Sequence, residues 1–365
     1  MINSKKEKKR NPNIDFLRII SMLSIIIHHL LIHGQVLTKY KKYKIVQLFN
    51  VSNMWHICNF GIVSGLVGNQ NQKFSNLFYL WIIVEFYSLL FYLKSNKLSS
   101  PIINQILISN LFPVIFMKYW YFTAYFGIYP FLPLIDSGMS SLSQIRIKKI
   151  FYFIIGIFSI WSFYFRDPFL QNRGYTPFSL LCFYIYGSYI SKYIFFRKNE
   201  QFNRFIISGI CFTIFIGITC LIYFISIRTD FSKVEFNIIN IFKIEKNSFP
   251  VILQAISITI FVSQINFGKF ISKMITFIAP LTFDIYLIHD NSYIRRDYIR
   301  NIFNNVSQNS NLRIILMILV KKSFLIFIIC VFIAYIRNII FQILRIKKLC
   351  YNIDQIITKI INYLI

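Results

Sequence analysis

The stretch NIDFLRIISMLSIIIHHLLIHG, residues 13–34, is apolar over a membrane-spanning length but carries several ionisable side chains. A helix of about 20 mainly apolar residues crosses the hydrocarbon core of a bilayer. An ionisable side chain at the centre of such a helix costs about 3 kcal/mol, so its presence usually has a functional reason. We therefore take Asp15, Arg18, His29 and His33 as candidates for catalysis or substrate binding.

Arg18 and His29 are expected to lie on the same face of this helix, because eleven residues return a helix to within about 20° of its starting direction. They are separated by about 16 Å along the axis, so they must do different jobs. A guanidinium binds phosphate oxygens, and an imidazole transfers protons near neutral pH. Alternatively, Arg18 pairs with Asp15 or reaches lipid phosphate, and His29 bonds a carbonyl of a neighbouring helix. His28 points about 100° away and is interpreted as structural.

The composition predicts an all-α, polytopic transmembrane bundle. Hydrophobic residues make up 56% of the 365 residues and charged residues 15%, against about 25% charge in soluble domains. Mean hydropathy is +0.56. Segment length predicts about ten helices, in one integral-membrane domain at 1–345 followed by a cytoplasmic tail at 346–365. The predicted spans are 13–32, 46–67, 76–93, 119–135, 150–164, 177–193, 205–227, 249–265, 274–289 and 323–344.

The basic residues point to the membrane surface rather than to nucleic acid. The net charge is +27, but Lys and Arg lie in many short loops, where they attract anionic lipid headgroups. The runs KKEKKR, 5–10, and RNIIFQILRIKKLC, 337–350, favour a multi-pass protein of the cell membrane with both termini in the cytoplasm. The six cysteines have no metal-ligand spacing. We therefore predict no metal and no permanently bound cofactor.

The second predicted span contains a polar stripe and a pair of glycines. Asn53, His56 and Asn59 recur at steps of three, so we expect them to line a central cavity. Gly61 and Gly65 form a small-xxx-small pair. Such a pair indicates close helix packing, or alternatively a place where the backbone approaches the substrate.

Three further side chains are binding candidates, and three aromatic residues are interpreted differently. Ser64 is a candidate for donor binding, Glu85 is the acidic residue of the third span, and His289 ends the ninth span beside Asp290 and Asn291, where it is suited to gripping sugar hydroxyls. The three aromatic residues stand near span ends, which is typical of anchors at the headgroup level: Trp81, Trp120 and Tyr121.

Several segments resemble the acyltransferase-three family of integral membrane enzymes, whose signature is an arginine, ten residues, then a histidine. Arg18 and His29 fit that interval. The order of the remaining matches strengthens the resemblance, which runs from Ile14 to about Arg337 and covers IDFLRIISMLSIIIHHLLIHG, FGIVSG, LWIIVEFYSLL, YWYFTAYFGIYPFLPLID, GYTPFSLLCFYIYGSYI and LTFDIYLIHDN. Family members typically have ten spans.

The resemblance implies transfer of an acetyl or other acyl group from cytoplasmic acyl-CoA to a hydroxyl of a cell-surface or capsular polysaccharide. On this hypothesis the phosphates of acetyl-CoA lie near Arg18 and the thioester lies beside His29, which acts as general base or carries the acyl group transiently. The expected partners are acyl-CoA, a glycan or lipid-linked glycan and the bilayer, and no nucleic acid. Many family members carry two arginines after the second span, whereas GLVGNQNQKF, 65–74, has only Lys73. No appended esterase-like domain is expected.

Two other classes remain open from the sequence. A glycan exporter or flippase would move a polymer through a polar cavity, and a membrane glycan polymerase would use external arginines such as Arg295, Arg296 and Arg300. Neither class explains the interval between Arg18 and His29.

Overall fold

The computed structural model describes residues 10–68, 73–95, 105–161, 169–195, 201–228 and 244–364. These residues form helices and turns without a β-strand, which confirms the all-α prediction. By length and apolar composition, the described residues contain five candidate membrane spans: Pro12–His33, Phe74–Ser95, Phe202–Ile225, Lys269–His289 and Leu312–Ile343. The chain is thus a multi-pass membrane protein.

The helices are numbered in chain order. The first nine are α1 Pro12–His33, α2 Val36–Lys39, α3 Lys44–Ser52, α4 Trp55–Val67, α5 Phe74–Ser95, α6 Gln105–Leu111, α7 Trp120–Ile128, α8 Leu132–Ser141 and α9 Gln144–Ile154. The others are α10 Pro177–Ile190, α11 Gln201–Arg228, α12 Phe249–Ser263, α13 Lys269–Ile278, α14 Thr282–His289, α15 Ser292–Ile294, α16 Leu312–Ile343 and α17 Ile346–Leu364. Single π-helical turns follow α9, α10 and α15, at Ile155–Trp161, Ser191–Phe195 and Arg295–Ile299.

The predicted count of ten spans is not established by these helices. The segment 46–67 divides at Asn53 into α3 and α4. The segment 119–135 divides into α7, a 3₁₀ turn at Tyr129–Phe131 and α8, because its prolines have no N–H to donate to the preceding turn. Ten therefore stays a prediction.

The first helix lies in the centre of the bundle, in contact with α4, α12, α13, α14 and α16. Pro12 and the capping side chain of Asn11 start it. The side-chain amide of Asn13 donates to the carbonyls of Val262 and Ile265, at 2.6 and 2.8 Å, and so ties this end of α1 to α12. A central position directs the polar residues of α1 towards protein rather than lipid, as their cost in a membrane requires.

Within the segment predicted as a C-terminal tail, 346–365, the residues Ile346–Leu364 form the helix α17. Arg345 has a left-handed backbone conformation, with φ 52°, and separates α17 from α16. The new helix packs against α5, where the carboxylate of Asp354 accepts a hydrogen bond from the backbone N–H of Ser75 at 3.1 Å.

A buried ion pair joins three spanning helices. Arg337 on α16 forms two hydrogen bonds of 2.6 Å with the carboxylate of Asp284 on α14, and both side chains are almost completely buried. Tyr79 and Tyr87 of α5 complete the network, the first accepting from Arg337 and the second donating to Asp284. The network fixes α14, which carries His289 at its end.

We expect Arg337→Ala to destabilise the fold by about 3–5 kcal/mol, because it leaves the carboxylate of Asp284 buried without its cation. Thermal unfolding in detergent measures the loss. Arg313→Ala is the matched control, since Arg313 is exposed on the same helix and should change stability by less than about 0.5 kcal/mol. A melting curve of Arg337→Ala that matches the control would contradict the assigned role of this pair.

Helices α4 and α10 approach closely at two glycines, Gly65 and Gly187. A Cβ at Gly187 would collide with the carbonyl group of Ile62 and lie 3.0 Å from the Cα of Gly65. Gly187→Ala should therefore force the helices apart and destabilise the protein by about 3 kcal/mol. Gly217→Ala is the control, because nothing lies within 4 Å of that position, and it should be neutral or stabilising. The folded yield in detergent distinguishes the two; equal yields would refute the packing argument.

Candidate active site

A cavity of about 310 Å³ lies beside α1 and is lined by both Arg18 and His29. Because Arg18 and His29 are about 16 Å apart along the helix axis, this one cavity extends from the depth of Arg18 in the bundle to that of His29. Most of its wall between them is apolar or aromatic, with Met22, Ile25 and Phe122 among the lining side chains. An elongated and mainly apolar group can therefore lie between a guanidinium and an imidazole.

Two arginines and one carboxylate stand at the Arg18 end of the cavity. Arg18 donates to the buried carboxylate of Asp15 at 2.6 Å. Arg10 donates to both oxygens of the same carboxylate, at 3.0 and 2.9 Å, and also lines the cavity. The pairing of Arg18 with Asp15, one of the alternatives drawn from the sequence, is thus present. Because two cations face one anion, the group keeps a positive charge that suits a phosphate.

Arg10 was missed from the sequence, where it was counted only as the last member of a basic run at 5–10. Its separation of five residues from Asp15 is not a helical interval, and Arg10 precedes the first turn of α1. The signal that would have found it is its closeness in sequence to an acidic residue expected to be buried.

At the other end of the cavity, His29 belongs to a group of histidines. The chain has five histidines, and ring contacts connect all five. The ring of His29 lies 5.2 Å from that of His33 and 5.0 Å from that of His289, between ring centroids. His28 lies 5.0 Å from His56 and 6.1 Å from His29. We call this group the histidine cluster.

Three members of the histidine cluster have a fixed hydrogen bond at Nδ1. Nδ1 of His28 contacts the side-chain oxygen of Asn50 at 2.9 Å. Nδ1 of His289 contacts the carbonyl oxygen of Ile285 at 2.5 Å, and Nδ1 of His56 contacts the carbonyl oxygen of Asn53. Because an oxygen acceptor requires a donor, Nδ1 carries the proton in these rings. His29 differs, since its buried Nδ1 has no hydrogen-bond partner among the described residues. It is also the histidine that lines the cavity.

A carboxylate and a guanidinium lie behind His29. Asp290 places Oδ1 3.5 Å from Nδ1 of His29 and 3.2 Å from Nη1 of Arg295, while Arg295 lies 3.5 Å from Nε2 of His33. Burial raises the pKa of Asp290 to about 7, and Arg295 opposes that rise. From the sequence alone, Asp290 was only a neighbour of His289.

The same atoms resemble a metal-binding group. The potential ligand atoms of His29, His33 and Asp290 lie within 4.8 Å of one another. However, the guanidinium of Arg295 contacts both His33 and Asp290, so a positive charge already occupies this position.

The polar stripe of the second span packs against α1, and its residues are not among those that line the cavity of Arg18 and His29. Asn53 donates to the carbonyl of Ser24 at 2.8 Å, and Asn59 donates to the hydroxyl of Ser21 at 2.6 Å. His56 is completely buried. These side chains hold α4 against α1, because polar groups in a membrane bond across helices where water is absent.

The remaining predicted binding residues lie in different places. Ser64 lines the cavity. Gly65 faces α10, where a side chain would collide with the backbone of Tyr184, so its close approach is to a helix. Glu85 on α5 is not part of the cavity wall, and its Oε1 is buried without a hydrogen-bond partner among the described residues.

Two aromatic residues interpreted as membrane anchors belong to the cavity wall instead. Trp120 and Tyr121 begin α7 and line the cavity, and the ring of Trp120 contacts that of Tyr175 edge-on at 4.6 Å. Aromatic residues are found at span ends both where a helix lines a substrate path and where it meets the headgroups. The sequence therefore could not distinguish a cavity wall from a membrane anchor.

Comparison with known proteins identifies the family of the chain. A family model described as an acyltransferase domain matches residues 11–341. No curated protein and no solved structure matches the chain. The family match covers both Arg18 and His29 and nearly the whole helical bundle. The chain therefore belongs to the acyltransferase-three family and is a multi-pass membrane acyltransferase.

Proposed function

We propose that the protein transfers an acetyl group from cytoplasmic acetyl-CoA to a hydroxyl of a cell-surface polysaccharide. The observation that supports this proposal is the single cavity lined by Arg18 at one depth and His29 at another. Its donor end is cationic and its far end carries the imidazole of His29. Both termini then lie in the cytoplasm, and the acceptor reaches the histidine cluster from outside.

The donor binds by its phosphates at Arg10 and Arg18. Planar guanidinium groups bind phosphate oxygens through paired hydrogen bonds and stay charged at any relevant pH. The pantetheine arm extends along the apolar wall of the cavity and brings the thioester to His29. Arg10 and Arg18 take over the part that two arginines after the second span play in many relatives, a position where this chain has only Lys73.

His29 transfers the proton. Its Nε2 accepts the proton of the acceptor hydroxyl while the hydroxyl oxygen attacks the thioester carbonyl carbon. The carbon–sulfur bond then breaks, the oxygen–carbon bond remains, and the CoA thiolate takes the proton from His29. In the covalent route, Nε2 first attacks the thioester carbonyl carbon and the CoA thiolate leaves. The hydroxyl oxygen then attacks the acetyl carbon, the carbon–nitrogen bond breaks, and the hydroxyl proton passes to the thiolate.

Nuclear magnetic resonance of the surface polysaccharide tests the proposal. Deleting the gene should remove the O-acetyl methyl proton signals, and a plasmid copy should restore them. Unchanged signals would refute the proposal. Loss of polymer from the surface would indicate an exporter, and shortened chains would indicate a polymerase.

A further inference from the structure

The carboxylate of Asp290 is held in a fixed position behind His29. The backbone N–H of Asp290 donates to the carbonyl of Tyr286 at 3.0 Å, which continues the last turn of α14. The next residue, Asn291, donates from its side chain to the hydroxyl of Tyr119 at 2.7 Å. Both contacts fix the backbone on either side of the carboxylate. Asp290 itself is almost completely buried.

We propose that Asp290 is the positioning residue of His29: it accepts a hydrogen bond from Nδ1–H, leaves Nε2 as the basic nitrogen, and stabilises the imidazolium formed during acyl transfer. This inference rests on the proposed function. It assigns to Asp290 a role in the reaction that differs from gripping a sugar.

The surroundings of His29 make such a counter-ion necessary. The rings of His28 and His33 approach it from α1, that of His289 from α14, and the guanidinium of Arg295 lies behind Asp290. These neighbours are neutral imidazoles or a cation. Among the described residues, the one carboxylate within 4 Å of His29 is that of Asp290. A proton on His29 would otherwise add a second positive charge beside Arg295 in a site largely closed to water.

The hydrogen bonds of three other histidines distinguish them from His29. The Nδ1 atoms of His28, His56 and His289 are already bonded to oxygens of the protein. The Nδ1 of His29 faces Asp290 at 3.5 Å, which is an ion-pair distance but longer than a hydrogen bond. Catalytic contacts of this kind commonly tighten when the substrate binds.

Arg295 also acts on this pair, because its positive charge favours the ionised form of Asp290. Its Nη1 contacts the same oxygen, Oδ1, that faces His29. Burial favours the protonated form of Asp290, and a cation at 3.2 Å favours the carboxylate. Removing Arg295 should therefore weaken the interaction between Asp290 and His29.

The test compares variants of the full-length enzyme in lipid nanodiscs, with labelled acetyl-CoA as donor and surface polysaccharide from the deletion strain as acceptor. Asp290→Asn should lower kcat by about 100-fold or more while leaving the KM for acetyl-CoA little changed. Asp290→Glu should restore part of the loss. Asp297→Asn is the matched control, since this exposed carboxylate of the same segment pairs with Arg296 away from the cavity, and it should behave as the native enzyme.

The pH profile separates positioning from a structural role. Asp290→Asn should move the acid limb of kcat to lower pH, because the proton on His29 loses its counter-ion. Arg295→Gln should move the limb to higher pH, because Asp290 then takes up its proton sooner. Opposite displacements are not expected from general destabilisation. If Asp290→Asn does not fold, the displacement in Arg295→Gln decides the matter.

Native kcat and an unmoved acid limb in Asp290→Asn would overturn the inference, as would a loss confined to the KM for acetyl-CoA. His29→Ala, assayed beside it, keeps this result distinct from the proposed function. If His29→Ala is inactive and Asp290→Asn has native activity, only the proposed role of Asp290 is rejected. Transfer by His29→Ala, or no transfer by the native enzyme, rejects the proposed function and with it the role of Asp290.

Discussion

His29→Ala is expected to abolish acetyl transfer while the protein accumulates in the membrane at its normal level. A positioned general base contributes about 10²–10⁴-fold to the rate, and His29 is the histidine that lines the cavity. Among the described residues, Nδ1 of His29 has no hydrogen-bond partner, so its removal breaks no hydrogen bond at that atom. Proton NMR of the purified polysaccharide should show no O-acetyl methyl signal, and immunoblotting of membranes should show unchanged protein.

His28→Gln is the matched control for this substitution. His28 lies next to His29 in the chain, but its Nδ1 is bonded to Asn50 and its side chain is not part of the cavity wall. Glutamine can keep a hydrogen bond to Asn50, so acetylation should persist. Normal acetylation in His29→Ala, or equal loss in both variants, would argue against His29 as the proton-transfer group.

Arg18→Lys is expected to raise the KM for acetyl-CoA about tenfold or more, with a smaller effect on kcat. A tenfold change corresponds to about 1.4 kcal/mol, which is within the cost of replacing a planar guanidinium on phosphate by a single ammonium group. Asp15 remains neutralised in this variant, because Arg10 bonds both of its oxygens. The fold should therefore survive, and initial rates against acetyl-CoA concentration measure the effect.

Acetyl-pantetheine, which has no phosphate, gives this experiment a second arm. The native enzyme should prefer acetyl-CoA strongly, and Arg18→Lys should lose most of that preference while using acetyl-pantetheine as well as the native enzyme does. Arg146→Lys is the control, since Arg146 is exposed and is not part of the cavity wall. An unchanged preference for acetyl-CoA in Arg18→Lys would contradict phosphate binding at this arginine.

Much of the first helix could be predicted, because the features that define it are local. Its length follows from a continuous apolar run, and the common face of Arg18 and His29 follows from the helical repeat. The family resemblance was also readable in the sequence, since it depends on that interval and on the order of later segments. The match over residues 11–341 confirms it.

The sequence could not place the polar stripe of the second span in the bundle, for a physical reason. Periodicity shows that Asn53, His56 and Asn59 share a face, but it does not say what the face meets. In the bundle that face meets α1, where Ser21 and Ser24 offer oxygens to the two amides. Trp120 and Tyr121 show the converse case, because residues with the composition of membrane anchors line the cavity.

The sequence by itself determined that this is a helical membrane acyltransferase whose first helix presents Arg18 and His29 on one side. Hydrophobic length and the 3.6-residue repeat are set within a few turns of chain, so no distant contact is needed to infer them. Only the tertiary structure decided that His289 and Asp290 stand behind His29 and that Arg10 shares Asp15 with Arg18. Those partners are chosen by the way helices and chain ends pack together, and packing depends on the shape and bonding of whole helix surfaces rather than on any interval along the chain.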